Sequence, residues 1–225
     1  MTELEALRDV ITRHASNYHG PSGLDGLTIT ATDAPTDPRP GVSEPSMAMV
    51  VQGRKRTVVG DQVFDYAARD FLVISLEIPV VGKVTEASRA LPFVGFGVRL
   101  EPSEIASLLL ESAMAGSSEP RAATGIAVAS ADQGLLAAAL HLVSLLDAPG
   151  DVDILAPLYR RELYWRLLGG PQARLVRQIG LADGSLADVA RAVRWIREHH
   201  REPVRVEQLA ELASMSASSL SLIHI

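Results

Sequence analysis

The side chains best suited to metal or acid–base chemistry are six histidines and twenty-seven acids, with no cysteine anywhere. Lack of thiols removes disulfide frameworks, thiolate zinc sites, iron–sulfur clusters and cysteine nucleophiles together. The histidines are His14, His19, His141, His199, His200 and His224, and none falls between residues 20 and 140. An imidazole-held metal in that stretch is therefore not expected. Asp61, Asp65, Asp70, Glu77 and Glu86 have no histidine companion there and read as solvated turn and strand-edge charges. Adjacent helical residues project about 100° apart, so His199 and His200 do not chelate one ion and instead suit a helix C-terminus through its dipole. Gly95-Phe96-Gly97 lacks the following helix a phosphate loop needs, and no serine sits in a nucleophile elbow. The chain is thus read without catalytic residues, metal or cofactor.

The other chemistry on offer is recognition of phosphates and base edges. Ser185 can cap a helix over Leu186–His200 whose apolar stripe is Leu186, Val189, Ala190, Val193 and Ile196, with Arg191, Arg194, Arg197 and Arg201 on other sides. Pro203 stops it. A short helix then carries Leu209, Ala210, Leu212 and Ala213, Met215 plugs a turn, and Ser216 caps a second helix beginning Ala217-Ser218-Ser219-Leu220. This is the pattern of a helix-turn-helix, with small Ala210 at the crossing and Ser216, Ala217, Ser218 and Ser219 at the end that would meet DNA.

These residues need a frame. At 225 residues, 47% apolar and 21% charged, the chain is long enough for a core and is not disordered throughout. No signal-type run or stretch of eighteen apolar residues occurs, so a soluble, cytoplasmic protein without membrane association is expected. The net charge is −6, but residues 156–201 hold nine arginines against Glu162, Asp183, Asp188 and Glu198. An acidic body joined to a basic stretch suggests two functional parts.

An amphipathic helix follows Thr2, with Leu4, Leu7, Ile11 and His14 at helical spacing. Leu27–Thr32 reads as a strand, and the proline-rich stretch 33–45 as a surface loop. Six short strands are expected at 47–52, 54–59, 62–66, 71–75, 79–85 and 93–99. Gly53, Gly60-Asp61 and Ala68–Asp70 separate them at hairpin-like intervals, which argues for an antiparallel barrel or sandwich. Helices are expected at 102–115, 131–146, 152–168, 171–181 and 186–200, with a loop from Gly116 to about Ser130. The barrel interior is either a filled core or an apolar hollow for a small molecule.

The chain resembles AraC-type transcriptional regulators. Residues 183–220 resemble the start of their DNA-binding domain from Ala190 through Trp195-Ile196 and Pro203 to Leu209–Ala213 and Met215-Ser216. Residues 44–111 resemble their N-terminal domain in Glu44-Pro45-Ser46, Val51-Gln52-Gly53, Gly60-Asp61 and Phe71-Leu72-Val73. The stretch Leu158–Leu163 with Leu167-Leu168 and Gly170-Pro171 resembles their linker. The resemblance implies an α+β chain with a metal-free, cupin-like antiparallel β-barrel at 1–150 for effector binding or dimerisation. A helical linker at 151–182 and a partial helix-turn-helix domain at 183–225 would follow.

Promoter DNA, a small-molecule effector and a second copy of the chain are the implied partners. Such regulators carry two helix-turn-helix units, so a fragment lacking the second is expected, and Ser221–Ile225 is apolar where a recognition helix should be polar. The helix over Leu135–Leu146 either pairs subunits or packs within the monomer. Two alternatives to a regulator are a metal-free cupin-like isomerase or epimerase and a ligand-binding module without DNA contact.

Overall fold

The computed structural model describes residues 2–15, 23–112 and 125–181, together with Trp195, Gln208 and Leu209. The chain forms two compact units: residues 1–100 with 122–176, and residues 101–121 with 177–225. The helix-turn-helix stretch, with Ser216, Ala217, Ser218 and Ser219, lies outside the described residues apart from Gln208 and Leu209, which are helical.

Among the described residues of the first unit, helix α1 (Glu3–Ala15) is followed by nine antiparallel strands in two sheets. They are β1 (Leu27–Thr32), β2 (Arg39–Ser43), β3 (Ser46–Gln52), β4 (Arg54–Val59), β5 (Gln62–Ala67), β6 (Asp70–Ile74), β7 (Ile78–Glu86), β8 (Phe93–Arg99) and β9 (Ile126–Ser130). The larger sheet runs β1-β8-β3-β6-β9 and the smaller β2-β7-β4-β5, facing each other as a flattened, cupin-like barrel. The class is α+β, as expected.

Hairpin chemistry sets the register. Gly60 takes φ +55 as the first residue of the two-residue turn that brings Val59 opposite Gln62. Gly53 takes φ +84, and a Cβ there would stand 2.5 Å from the Glu86 carbonyl oxygen. Arg69, at φ 76, is the exception to the glycine rule. Its amide donates to the Val50 carbonyl, its carbonyl accepts from Ala131 N–H, and its Nε donates to the Ala131 carbonyl at 2.8 Å. Three bonds hold a backbone conformation that few side chains adopt unaided.

Two strands differ from the sequence expectation. β2 lies within the proline-rich stretch read as loop, but it is the edge of its sheet, paired only with β7, and an edge tolerates Pro40. β9 occupies the end of the segment read as loop up to Ser130. Its Ala-rich residues pair with β6, Ile126 opposite Ile74 and Ser130 opposite Asp70, so tertiary pairing supplies what local propensity does not.

The larger sheet is buried on both sides. Towards the smaller sheet, Val50, Leu72, Ile74, Phe93 and Ile126 pack with Tyr66 and Val84. Alternate residues Met47, Met49, Phe71, Val73, Phe96 and Val98 are at most 4% exposed on the opposite side, where α1 crosses β1, β3 and β8. Helix α3 (Gln133–Ser144) packs on α1, and α4 (Val152–Gly169) on α3. Asp132 caps α3 by accepting from Leu135 N–H at 2.8 Å. Leu135, Leu136, Ala138, Ala139, Leu142 and Val143 are buried, so this helix packs within the unit. The buried Tyr164 hydroxyl donates to the Arg99 carbonyl at 2.9 Å and ties α4 to the end of β8.

In the second unit, α2 (Pro102–Glu111) starts with proline in its first turn, where the missing N–H is not needed. Ile105, Ala106, Leu108 and Leu109 form its buried face. Helix α5 (Ala173–Gly180) ends beside it: a Cβ on Gly180 would stand 2.8 Å from Ile105 Cγ2. Close packing of the two backbones requires glycine there.

Candidate functional site

Cross-strand pairing in the smaller sheet separates its cations into two kinds. Arg56 binds Asp65 in a fork, Nε to Oδ1 and Nη2 to Oδ2 both at 2.7 Å, and Arg54 Nε binds Glu86 Oε1 at 2.9 Å. These pairs lie on the outer face, where Arg56 is 40% exposed. The Arg56 guanidinium holds the Asp65 carboxyl below the usual carboxylate range. Asp70 accepts from Ser130 Oγ and from Ala67 N–H. Asp65, Asp70 and Glu86, three of the five carboxylates read as strand-edge and turn charges, are thus paired within the sheets.

Lys55 has the opposite parity. It shares the inward side of β4 with Thr57 and stands opposite Tyr66 on β5. A Cβ on Gly82 of β7 would lie 3.6 Å from Lys55 Cε, so the lysine stem runs over a residue that has no side chain. Burial pushes the Lys55 amine down from its ordinary value. Among the described residues it makes no hydrogen bond or ion pair. Tyr66 is 1% exposed, with its hydroxyl 3.2 Å from Thr57 Oγ1, and burial pushes its phenol up to about 12. It remains a neutral hydroxyl.

Across from Lys55 the larger sheet is hollowed. Gly95 lies between Thr30 and Val50, and Gly97 between Thr28 and Ala48, in neighbouring strands. A Cβ on Gly97 would stand 2.8 Å from Thr28 Oγ1, and one on Gly95 2.9 Å from the Met49 carbonyl oxygen. The result is a chamber of about 70 Å³ lined by Lys55, Tyr66, Phe93, the two glycines and the threonines. A wider cleft of about 600 Å³ adjoins it, sharing Thr28, Ala48 and Gly97 and edged by Ser43, Glu44, Ser46, Glu77 and the Arg99–Asp25 ion pair. Among the described residues, no three His, Asp or Glu side chains come close enough to hold a metal ion.

Sequence reasoning did not single out Lys55. Arg54-Lys55-Arg56 reads as a charged stretch, and the available signal was parity: the residue two places from Thr57 and four from Val59 faces the interior. Gly95 and Gly97, dismissed as a phosphate loop, instead form the chamber floor. The positions expected to meet DNA, Ser216, Ala217, Ser218 and Ser219, are not among the described residues.

A second exposed feature lies on α4. Ile154, Leu158 and Trp165 are 72%, 58% and 46% exposed, and spacings of four and seven place them along one stripe. No single helix among the described residues is long and apolar enough to cross a membrane.

No curated protein matches the chain. Among solved structures, apo ToxT from Vibrio cholerae is similar at 9% identity and a TM-score of 0.44, over 88% of this chain and 92% of that one. ToxT bound to an unsaturated fatty acid, also from Vibrio cholerae, is similar at 9% identity and a TM-score of 0.36, over 88% and 90%. The AraC-like transcriptional activator CuxR is similar at 15% identity and a TM-score of 0.31, over 89% and 69%. The model of the AraC-type transcriptional regulator N-terminus matches residues 23–175, from the start of the barrel through α4. The chain therefore belongs to the family of AraC-type transcriptional regulators, whose N-terminal domain it carries.

Proposed function

We propose that this protein regulates transcription by binding promoter DNA through the 183–225 stretch, under control of a barrel that senses a small molecule. The observation that carries the reading is the family match over residues 23–175. The chamber above Gly95 and Gly97 supports a sensing role, because elsewhere the sheets meet in a filled core. DNA contact falls to Ser216, Ala217, Ser218 and Ser219, supported by their position at the start of a second helix in a helix-turn-helix pattern. The domain plan is a sensing barrel at 1–150, a linker at 151–182 and a DNA-binding unit from 183.

The protein works as a homodimer in the cytoplasm, without catalysis. Two linked DNA-binding units gain from effective concentration what one half-site contact lacks. The exposed stripe Ile154, Leu158 and Trp165 is the face we assign to subunit pairing, since α3 already packs within its own unit. The test is a gel shift of the protein against its own upstream DNA, across a range of salt. A sequence-specific shift is expected, and only non-specific binding contradicts the reading.

A further inference from the structure

The outer face of the four-stranded sheet is sorted by row. Val59, Phe64, Ile78 and Val80 pack against the core, so Val58, Val63, Pro79 and Val81 have the outward parity. Cross-strand pairing lines these up. Val63 stands opposite Val58, Val58 opposite Val81 and Val81 opposite Pro40, which makes one apolar row across all four strands. A second row follows, with Pro79 opposite Val42. Val42 is 64% exposed and Val63 55%, and α1, the helix that packs on strands, lies on the larger sheet. A contiguous apolar strip left open to water marks an interaction surface. The free edge beside it is closed to strand addition, since Pro40 in β2 has no N–H to donate, so association falls to the face.

Charges flank the strip unequally. On one side Lys83 stands directly opposite Arg56, and like charges so placed repel. Asp65 is committed to the Arg56 fork, and among the described residues the Lys83 amine makes no hydrogen bond or ion pair. On the other side, just beyond the Ile78–Ser43 pair, Glu77 and Glu44 are exposed, and among the described residues their carboxylates are not paired. We propose that this face is a self-association surface, on which a second copy packs its own face about a two-fold axis lying across the strands, along the apolar rows. That axis sets the apolar rows of the two copies against each other and turns the Lys83 side of each towards the Glu77 side of the other. A partner of one charge would match only one flank of the strip. A second copy matches both, and the two-fold repeats every contact. Sheets packed in this way stand about 10 Å apart. The contact goes beyond the pairing assigned to α4 and does not rest on it; where both hold, pairs formed through α4 join into tetramers.

The test is analytical ultracentrifugation of the full chain across a wide range of concentration, with circular dichroism as the check on folding. Val58→Lys is expected to weaken one step of association roughly tenfold or more, since the two-fold places the new charge in the apolar strip twice. The exposed Val63→Lys should do the same, and it serves if Val58→Lys does not fold. Lys83→Glu and Glu77→Lys should each weaken that step. Combined in one chain they should restore it, because the exchanged charges meet again across the axis. Ile154→Asp, on the α4 stripe, should leave this step unchanged. Wild-type protein that sediments like Val58→Lys at every concentration would overturn the proposal, and so would a double charge variant that associates no better than either single one. Loss of association through Ile154→Asp alone would also overturn it and leave the α4 assignment standing. Loss through the sheet variants alone would uphold it and remove that assignment.

Discussion

The two faces of the five-stranded sheet use the same strands for different ends. Towards α1, Met47, Met49, Phe71, Val73, Phe96 and Val98 put large side chains at alternate positions of β3, β6 and β8. Towards the smaller sheet, positions one residue away in β3 and β8 hold Ala48, Gly95 and Gly97, and the space they leave is the chamber. A one-residue change of parity separates stabilising core from binding site. It follows that emptying the first face should act on folding, and filling the second should act on folding and on ligand binding together.

The largest expected effect is on the filled face. Phe71→Ala should cost about 3–5 kcal/mol in denaturant unfolding, because the surrounding helices cannot collapse onto the space. A loss of well under 1 kcal/mol would mean that this side is not close-packed. Next comes overfilling of the hollow face. Gly97→Ala should cost about 1–3 kcal/mol through its approach to Thr28 Oγ1. Adding Thr28→Ala should recover much of it, and strict additivity in that double-mutant cycle would break the geometric account.

Lys55→Met should raise the stability of the ligand-free protein by at most about 1 kcal/mol, the low end for an unsatisfied polar group, because Lys55 is half-buried. The sign follows from the lowered amine. Below its folded-state pKa the lysine is charged in both states and burial penalises the folded one. The penalty fades as pH climbs towards the ordinary value of 10.5. The mutant's advantage, followed by thermal melting, should therefore shrink at high pH. If the advantage is the same at every pH, the ammonium is not what burial penalises.

The smallest effect concerns Asp147, which joins the end of the helical layer to α1 through His14 Nε2 at 2.7 Å and Arg13 Nη2 at 2.5 Å. His14 and Arg13 hold this carboxyl below its ordinary 3.8, so its contribution is full above about that pH and is lost as acid protonates it. The group is 42% exposed, and Asp147→Asn should cost about 0.5 kcal/mol at neutral pH and progressively less as the pH falls below 3.8. Acid-titrated unfolding curves that stay parallel would contradict this.

Much of the frame was legible because alternation and turn chemistry agree. Gly53 and Gly60-Asp61 delimit β4 at both ends, and that strand and β8 were read to the residue. β2 and β9 were not, since Pro40 and an alanine-rich run carry little strand preference and depend on partners distant in sequence. The chamber was hidden for another reason. Glycines in a strand signal close approach or missing volume, but only the pairing of Gly97 with Thr28 and Ala48 tells which. Lys55 was masked by its arginine neighbours, because a run of three cations looks solvated until the sheet sorts them by face.

Two lysines in the chain make a direct measurement simple. Labelling the full protein with lysine carrying ¹³C at Cε gives two side-chain signals, assigned by Lys83→Arg. In a pH titration of the ligand-free protein, the Lys55 signal should turn over below the ordinary 10.5, because the sheet carries that amine into the chamber. A midpoint at or above 10.5 would contradict the claim that alternation along β4 divides the outer charges from the inner hollow.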